Sequence, residues 1–387
     1  MNRVGEWDLV VVGAGPAGTA AALGALRQRP DLSVLMLDRA DFPRDKACGD
    51  GVAPHVVDLL ERAGVTGLMK DEVPVRRLRL ERDELGVART MRRPAWVVPR
   101  TVFDARLVAA AREAGATLRR HRVRAVEVGR EGVTIDGHIR ARCVVGADGA
   151  HSQVRAAAGL RPGRMAFALR GYAPTNTGRR GEQVIVFGTS RQPSYAWSFD
   201  RGDGLANVGY GELLTQARTP PTRRLLLERL EALLPGAADG GSGWRGAHLP
   251  LSGWRWAHPD GRVLLAGDAA GLVNPLTGEG IYYAVVTGLV AGRTAASVTP
   301  GQDAGRTYRR AVRALLGGHL RHTALVGRLA QAGPVLESGM RAAAEDQRVF
   351  DDLVELGLGR GRLTTSVVRG LAAAAGDRIW HARPGGG

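Results

Sequence analysis

Gly13, Gly15 and Gly18 lie in a Gly-Ala-Gly-Pro-Ala-Gly run, directly after Asp8-Leu9-Val10-Val11-Val12 and before Thr19-Ala20-Ala21-Ala22-Leu23. The apolar, β-branched run reads as a buried strand, and the alanine-rich run reads as the opening of a helix. Each glycine then has a task. Gly13 permits the tight turn, Gly15 lets the backbone approach a pyrophosphate, and Gly18 lets helix and strand pack closely. Pro16 and Ala17 open the helix, whose free amides and positive dipole end favour a phosphate. A second apolar run, Val34-Leu35-Met36-Leu37, ends in Asp38-Arg39. A carboxylate at that strand end accepts hydrogen bonds from a ribose diol, so Asp38 implies an unphosphorylated adenosine ribose. Gly13, Gly15, Pro16, Ala17, Gly18, Asp38 and Arg39 are therefore assigned to a dinucleotide.

Two later stretches share one design. Val144-Val145-Gly146-Ala147-Asp148-Gly149 and Val263-Leu264-Leu265-Ala266-Gly267-Asp268 are apolar runs that end in a glycine and an acid. Each puts a carboxylate at the carboxyl edge of a sheet, where open α/β folds bind nucleotides. Beyond Asp268 the chain reads Asn274-Pro275-Leu276-Thr277-Gly278-Glu279-Gly280-Ile281, then an apolar helix through Leu289. Gly278 and Gly280 keep side chains away from a flat ring, and the helix start at Ile281 aims its amides at negative charge. On a flavin that charge is the N1 and C2 oxygen edge of the reduced ring.

These stretches resemble the second and third fingerprints of the flavoprotein hydroxylase superfamily, which makes the nucleotide FAD rather than NAD. In that superfamily the acid of the third fingerprint, here Asp268, accepts from the ribityl hydroxyls. Asp148, Gly149, Gly267, Asp268, Gly278, Gly280 and Ile281 join the cofactor set on this basis. Three further segments narrow the resemblance: Phe42-Pro43-Arg44-Asp45-Lys46-Ala47-Cys48-Gly49-Asp50-Gly51, the Asn274–Ile281 run, and Tyr195-Ala196-Trp197-Ser198-Phe199. They look like the geranylgeranyl reductase family, over most of residues 8 to 300. The resemblance implies noncovalent FAD, reduction of isoprenoid carbon-carbon double bonds, and a fold like the aromatic hydroxylases. It also implies a cavity lined by Tyr195, Trp197 and Phe199, a loop at Cys48 and Gly49 beside the isoalloxazine, and an Arg100 that approaches the cofactor. Two departures stand out: Asp200 ends the family's Tyr-x-Trp-x-Phe-Pro motif, and His55 replaces an arginine. Both are expected in or near the substrate face.

Cys48 could donate a proton to a substrate carbon as hydride arrives, or pack as a small buried hydrophobe. Two chemistries are open to such a site. In the favoured one, reduced FAD delivers hydride to an activated double bond of an apolar, isoprenoid-type molecule. In the other, a monooxygenase hydroxylates or epoxidises a biosynthetic intermediate through the flavin C4a-hydroperoxide. With no second Gly-x-Gly-x-x-Gly run, NAD(P)H or a protein electron carrier is expected to act as a transient reductant. Trp254-Arg255-Trp256 is read as structural, because the Trp-x-Trp motif of flavin-dependent halogenases continues to Ile-Pro and lies well before the third fingerprint.

The positions of the fingerprints set the organisation, an α/β fold with an inserted domain. A discontinuous Rossmann-type FAD-binding domain takes residues 1–73, 98–160 and 255–300. Residues 74–97 and 161–254 carry alternating runs such as Gln183–Gly188 and Ala206–Gly211, typical of the mixed or antiparallel sheet of a substrate domain. Residues 301–380 read as helices and 381–387 as a tail. The formal charge is +16, yet the only lysines are Lys46 and Lys70, and the arginines are scattered. No nucleic-acid motif accompanies them, so no nucleic-acid partner is expected, and no metal site is read. Two cysteines cannot form a disulfide framework and no apolar run approaches a bilayer span. The expected location is cytoplasmic, with peripheral membrane contact as the remaining option.

Overall fold

A computed structural model describes residues 6–129, 132–188, 192–214, 221–299 and 301–371. The segment expected to form the 381–387 tail, and the end of the C-terminal helical region, lie outside them.

Two sheets carry the molecule. The first is built on parallel strands in the order β6 (Thr117–Arg120), β2 (Val34–Asp38), β1 (Glu6–Val12), β9 (Ile139–Gly146) and β15 (Val263–Leu265). A short antiparallel pair, β7 (Val126–Val128) and β8 (Val133–Ile135), continues from the first half of β9. Alternation sorts the central strand onto two cores: Leu9 and Val11 face one cluster, Val10 and Val12 the other. Burial on both faces is why these strands read as unbroken apolar runs.

Helices α1 (Pro16–Gln28), α3 (Arg100–Glu113) and α6 (Ile281–Ser297) supply much of the first cluster. The α6 helix runs past Leu289, where sequence reasoning ended it. Its Gly288 and Gly292 are needed at the contact with α1, since a Cβ there would meet the carbonyl oxygens of Ala17 at 2.2 Å and Ala21 at 1.9 Å. That close approach outweighs the cost of glycine inside a helix.

The second sheet has eight strands: β14 (Ser242–Pro250), β10 (Met165–Pro174), β13 (Leu205–Leu213), β12 (Ser194–Asp200), β11 (Glu182–Phe187), β4 (Pro74–Arg82), β5 (Leu85–Val97) and β3 (Gly51–Val52). Among the described residues of this sheet, only β11 and β4 pair in parallel. Gly51 and Val52 pair with Val97 and Trp96, so part of the segment 1–73 belongs to this sheet rather than to the nucleotide side. Helix α5 (Arg223–Leu233) closes one face through Leu226 and Leu230 against Val184, Val186, Ala196 and Tyr210. Two short helices, α2 (Pro54–Arg62) and α4 (Gln153–Ala157), follow strands β3 and β9.

The C-terminal region is helical: α7 (Ala304–Leu329), α8 (Gly333–Glu345) and α9 (Gln347–Leu358). Tyr308, Leu316 and Leu320 of α7 join the core around α6, while Ala343 and Phe350 pack on Leu78, Val87 and Met91 of the second sheet. Among the described residues no helix is long and apolar enough to cross a membrane.

Candidate flavin site and substrate cavity

Chain segments distant in sequence meet at the carboxyl ends of the parallel strands. A Cβ on Gly13 would lie 2.3 Å from the Ala147 carbonyl oxygen, so the first glycine run rests on the second fingerprint. Gly267, with φ +57°, sits 3.2 Å from both Ala17 and Ala284 by the same measure, which joins the third fingerprint to the starts of α1 and α6. Gly18 would collide with the Gly13 carbonyl oxygen at 1.8 Å. Gly18 and Gly267 thus hold the walls and do not line the cavity.

That cavity measures about 1640 Å³. Gly13, Gly15, Pro16, Ala17, Asp38, Arg39, Cys48, Gly49, Arg100, Asp148, Gly149, Asp268, Gly278, Gly280 and Ile281 all lie on its wall, with Tyr195, Trp197 and Phe199. At one end the α1 helix starts with Gly15 as its N-cap, no capping side chain and no acid in its first turn. Its amides are left for an anion. A Cβ on Gly15 would meet Arg44 Nη2 at 3.3 Å and Arg100 Nη2 at 3.8 Å. Arg100 is clamped by Asp104 through two bonds of 2.6 and 2.7 Å, and Arg44 lies 3.0 Å from the same carboxylate. Two guanidinium groups on one carboxylate leave net positive charge beside the bare amides. These residues fit a pyrophosphate.

Asp38 is buried, and its two oxygens accept from the Ala14 and Ala40 amides at 2.9 and 3.0 Å. A carboxylate has further lone pairs, so these bonds orient it and leave capacity for a diol. Asp148 turns Oδ2 to the Gln153 amide at 2.7 Å and so secures the entry to α4. Its Oδ1 is buried without a partner among the described residues. Asp268 has Lys46 Nζ at 3.4 Å.

Around the middle of the cavity, Cys48 is held by its neighbours. Asn207 Nδ2 donates to the Cys48 carbonyl oxygen and to Asp50 Oδ2, both at 2.8 Å, while its Oδ1 accepts from Trp197 Nε1 at 2.8 Å. Arg170, nearly fully buried, reaches the Asp45 carboxylate and the Lys46 carbonyl oxygen. Burial pushes the Cys48 thiol up from its ordinary value, partly opposed by Arg100, so it keeps its proton at neutral pH. Burial also raises Glu279 to about 7, against the pull of the Tyr282 amide, which donates to it at 2.8 Å at the start of α6. Tyr195 donates to the Thr277 carbonyl oxygen and ties the second sheet to the Gly278–Gly280 turn.

Several placements differ from expectation. Asp200 is not on the substrate face: it is buried at the end of β12, where it accepts from Thr175 Oγ1 at 3.0 Å and the Gly181 amide at 2.6 Å. His55 lies away from the main cavity and pairs with Glu355 at 2.8 Å, joining α2 to α9. Trp256 is structural, donating to the Ala270 carbonyl oxygen at 3.0 Å, but Trp254 is 56 % exposed. Sequence reasoning left Arg44, Lys46, Asp50, Asn207 and Glu279 unassigned. None of the five carried a local signal of the kind the Arg100–Asp104 pair has in its i,i+4 spacing on a helix.

A family model described as FAD binding domain matches residues 6–186. A menaquinone reductase of Mycolicibacterium smegmatis is 35% identical over 314 residues, covering 73% of this chain and 75% of that protein. Digeranylgeranylglycerophospholipid reductase 2 of Methanopyrus kandleri is 32% identical over 332 residues, 78% of this chain and 80% of that one. The solved structure of a geranylgeranyl bacteriochlorophyll reductase-like protein from Thermoplasma acidophilum superposes with a TM-score of 0.79 at 21% identity, covering 97% and 98% of the two chains. With its three fingerprints on one wall and relatives of this identity and coverage, the chain belongs to the geranylgeranyl reductase family of FAD-dependent oxidoreductases.

Proposed function

We propose that this protein reduces a carbon-carbon double bond in the isoprenoid chain of a lipid, a polyprenyl quinone being the favoured substrate class. The observation that carries the reading is the apolar arm of the cavity. It is the stretch of wall formed by Leu78, Leu80 and Ile185 of the second sheet and Leu336, Met340 and Leu353 of the C-terminal helices. A single small-molecule site occupies roughly 300–1,000 Å³. At about 1640 Å³ the cavity has room for a dinucleotide and a second, elongated ligand. The menaquinone reductase relative favours a quinone head group.

Bound FAD would supply the hydride, and the chain's own residues would do the rest. Arg44, Arg100 and the α1 amides would hold the pyrophosphate, Asp38 the adenosine ribose and Asp268 the ribityl hydroxyls. Tyr195, Trp197 and Phe199 would border the reacting segment of the substrate. Cys48, kept protonated by burial, would place a proton on the carbon next to the one that accepts hydride. The electrons would come from NAD(P)H or from a protein carrier that docks transiently.

The test is an anaerobic single turnover. FAD-loaded protein, reduced with dithionite, is mixed with a menaquinone bearing a short isoprenoid chain, and product mass and flavin absorbance are followed. Flavin reoxidation without oxygen is expected, with a product that stays heavier by two hydrogens after any menaquinol has been air-oxidised back to the quinone. A product heavier by one oxygen, formed only after oxygen is admitted, would replace this reading with the monooxygenase.

A further inference from the structure

We propose that Asp50 is the group that returns a proton to Cys48, so that the pair acts as a two-stage proton donor facing the cavity. The proposal rests on the reading of Cys48 as proton donor, and its test separates the two.

Both residues lie on the cavity wall, in one loop. The Asn207 side-chain amide ties them together, donating to the Cys48 carbonyl oxygen and to Asp50 Oδ2, both at 2.8 Å. Asp50 is fully buried and has φ +59°, a left-handed conformation that a non-glycine residue adopts only at a cost. Its two oxygens are treated very differently. Oδ2 accepts from Tyr172 Oη at 2.5 Å and from Asn207 Nδ2 at 2.8 Å. Oδ1 is buried with no hydrogen-bond partner among the described residues. An ionised, buried oxygen with no donor is costly, and a proton on Oδ1 removes that cost.

The surrounding charges set the balance. Burial raises Asp50 to about 6, while Tyr172, Arg170, Asn207 and Arg100 pull it down. On the other side Cys48 is raised by burial first, lowered by Arg100, and raised further by Asp50 and Glu279. Asp50 is thus a stronger acid than the Cys48 thiol, and a newly formed thiolate would take up the Asp50 proton.

The step balances without an added reagent. Reduced flavin, when bound, would supply a hydride with its electron pair to one carbon of the substrate double bond, and Cys48 Sγ would supply the proton to the other. Sγ is left as a thiolate. The Oδ1 proton of Asp50 passes to Sγ, and the resulting carboxylate regains a proton from solvent before the next turnover. The cofactor is recharged by the two-electron donor.

Asp50→Asn, with Tyr172→Phe as a variant that keeps the carboxyl group, tests this on FAD-loaded protein. The first readout needs no substrate: the pH dependence of Cys48 alkylation by iodoacetamide, read by mass spectrometry at the Cys48 peptide. Asp50→Asn removes a negative neighbour and should move the Cys48 midpoint down by at least ~0.5 pH unit. Tyr172→Phe takes a hydrogen bond from the ionised form, so the inflection assigned to Asp50 should move up in pH. Equal midpoints in wild type and Asp50→Asn would overturn the proposal. The second readout is product formed from short-chain menaquinone by rapid quench. Asp50→Asn should give one fast equivalent of product and then turn over at least about tenfold more slowly. Slowing of the first equivalent to the same degree as the later ones would reduce Asp50 to a packing role. If Cys48→Ser leaves the first equivalent unchanged, the Cys48 reading fails instead, whatever the alkylation midpoints show.

Discussion

Cys48→Ser is expected to retain FAD and its reduction by dithionite, yet to slow reoxidation by an alkene substrate at least tenfold, about 1.4 kcal/mol of barrier. A serine hydroxyl is a far weaker acid than a thiol, so it gives a proton to carbon far more slowly. Unchanged reoxidation in anaerobic stopped flow would make Cys48 a packing residue. Glu279 gives a second expectation at this scale. It ionises near 7, at the start of the α6 helix whose amides would face a reduced, anionic flavin. Above that pH its charge opposes the anion, and below it the charge is gone. Glu279→Gln should therefore raise the midpoint potential of bound FAD at pH 8, by on the order of 30 mV or ~1.4 kcal/mol, and change little at pH 6. An equal shift at both pH values would mean that Glu279 acts through structure rather than charge. Neither Glu279 nor Asp50 could be weighed from the sequence, because acids beside glycines are common and what distinguishes them is the full burial of Asp50 and the bond of Glu279 to the Tyr282 amide at the start of α6. Cys48 was legible because its segment resembles a known one, whereas Asn207, which bonds both Trp197 and the Cys48 carbonyl oxygen, lies on another strand with no local signal.

At the scale of elements, the spacing between the first and third fingerprints is set where α1 meets α6. Gly24, Gly288 and Gly292 each approach a backbone carbonyl of the opposite helix within 2.5 Å of where a Cβ would stand. Helix propensity alone says that Gly292→Ala should stabilise the protein by about 0.8–1 kcal/mol. Packing says the reverse, since the new methyl would stand 1.9 Å from the Ala21 carbonyl oxygen, and overpacking costs typically 1–3 kcal/mol. The expected result is a lower thermal midpoint and weaker FAD retention for Gly292→Ala. Gly317→Ala, in α7 with nothing within 4 Å of the new carbon, should melt at the same temperature or higher. If both variants gain stability, the α1–α6 contact is looser than the structure has it. The strands and the start of α1 were readable from their runs of β-branched residues and from Pro16. The length of α6 was not, since two glycines inside a helix read as a stop until the facing helix is known.

For the whole molecule, the decisive feature is that the apolar arm is open at its rim. Leu325, Leu329 and Val368 line the cavity and yet are 39%, 46% and 54% exposed. Arg321, Arg328 and Arg369 are exposed nearby in the chain. The leucines and arginines of α7 were legible as a candidate membrane-facing stretch, but the arm itself was not, because its walls come from residues near 80, 185 and 340 and only the fold brings them together. A lipid substrate gains nothing by leaving a bilayer for water, so the proposed function requires the rim to reach the membrane surface. Burial of three aliphatic side chains contributes at most a few kcal/mol, and each arginine near an anionic surface adds about 1 kcal/mol. The +16 formal charge adds long-range attraction that salt screens within about 10 Å at 0.1 M. The protein is therefore expected to float with vesicles of phosphatidylcholine and phosphatidylglycerol at low salt, to leave them as salt rises, and to ignore phosphatidylcholine alone. Leu329→Glu should weaken flotation while FAD content stays unchanged, because it alters the rim and not the nucleotide end. Protein that stays at the bottom of the gradient with anionic vesicles at low salt would point to a small, water-soluble substrate, and the apolar arm would then need another occupant.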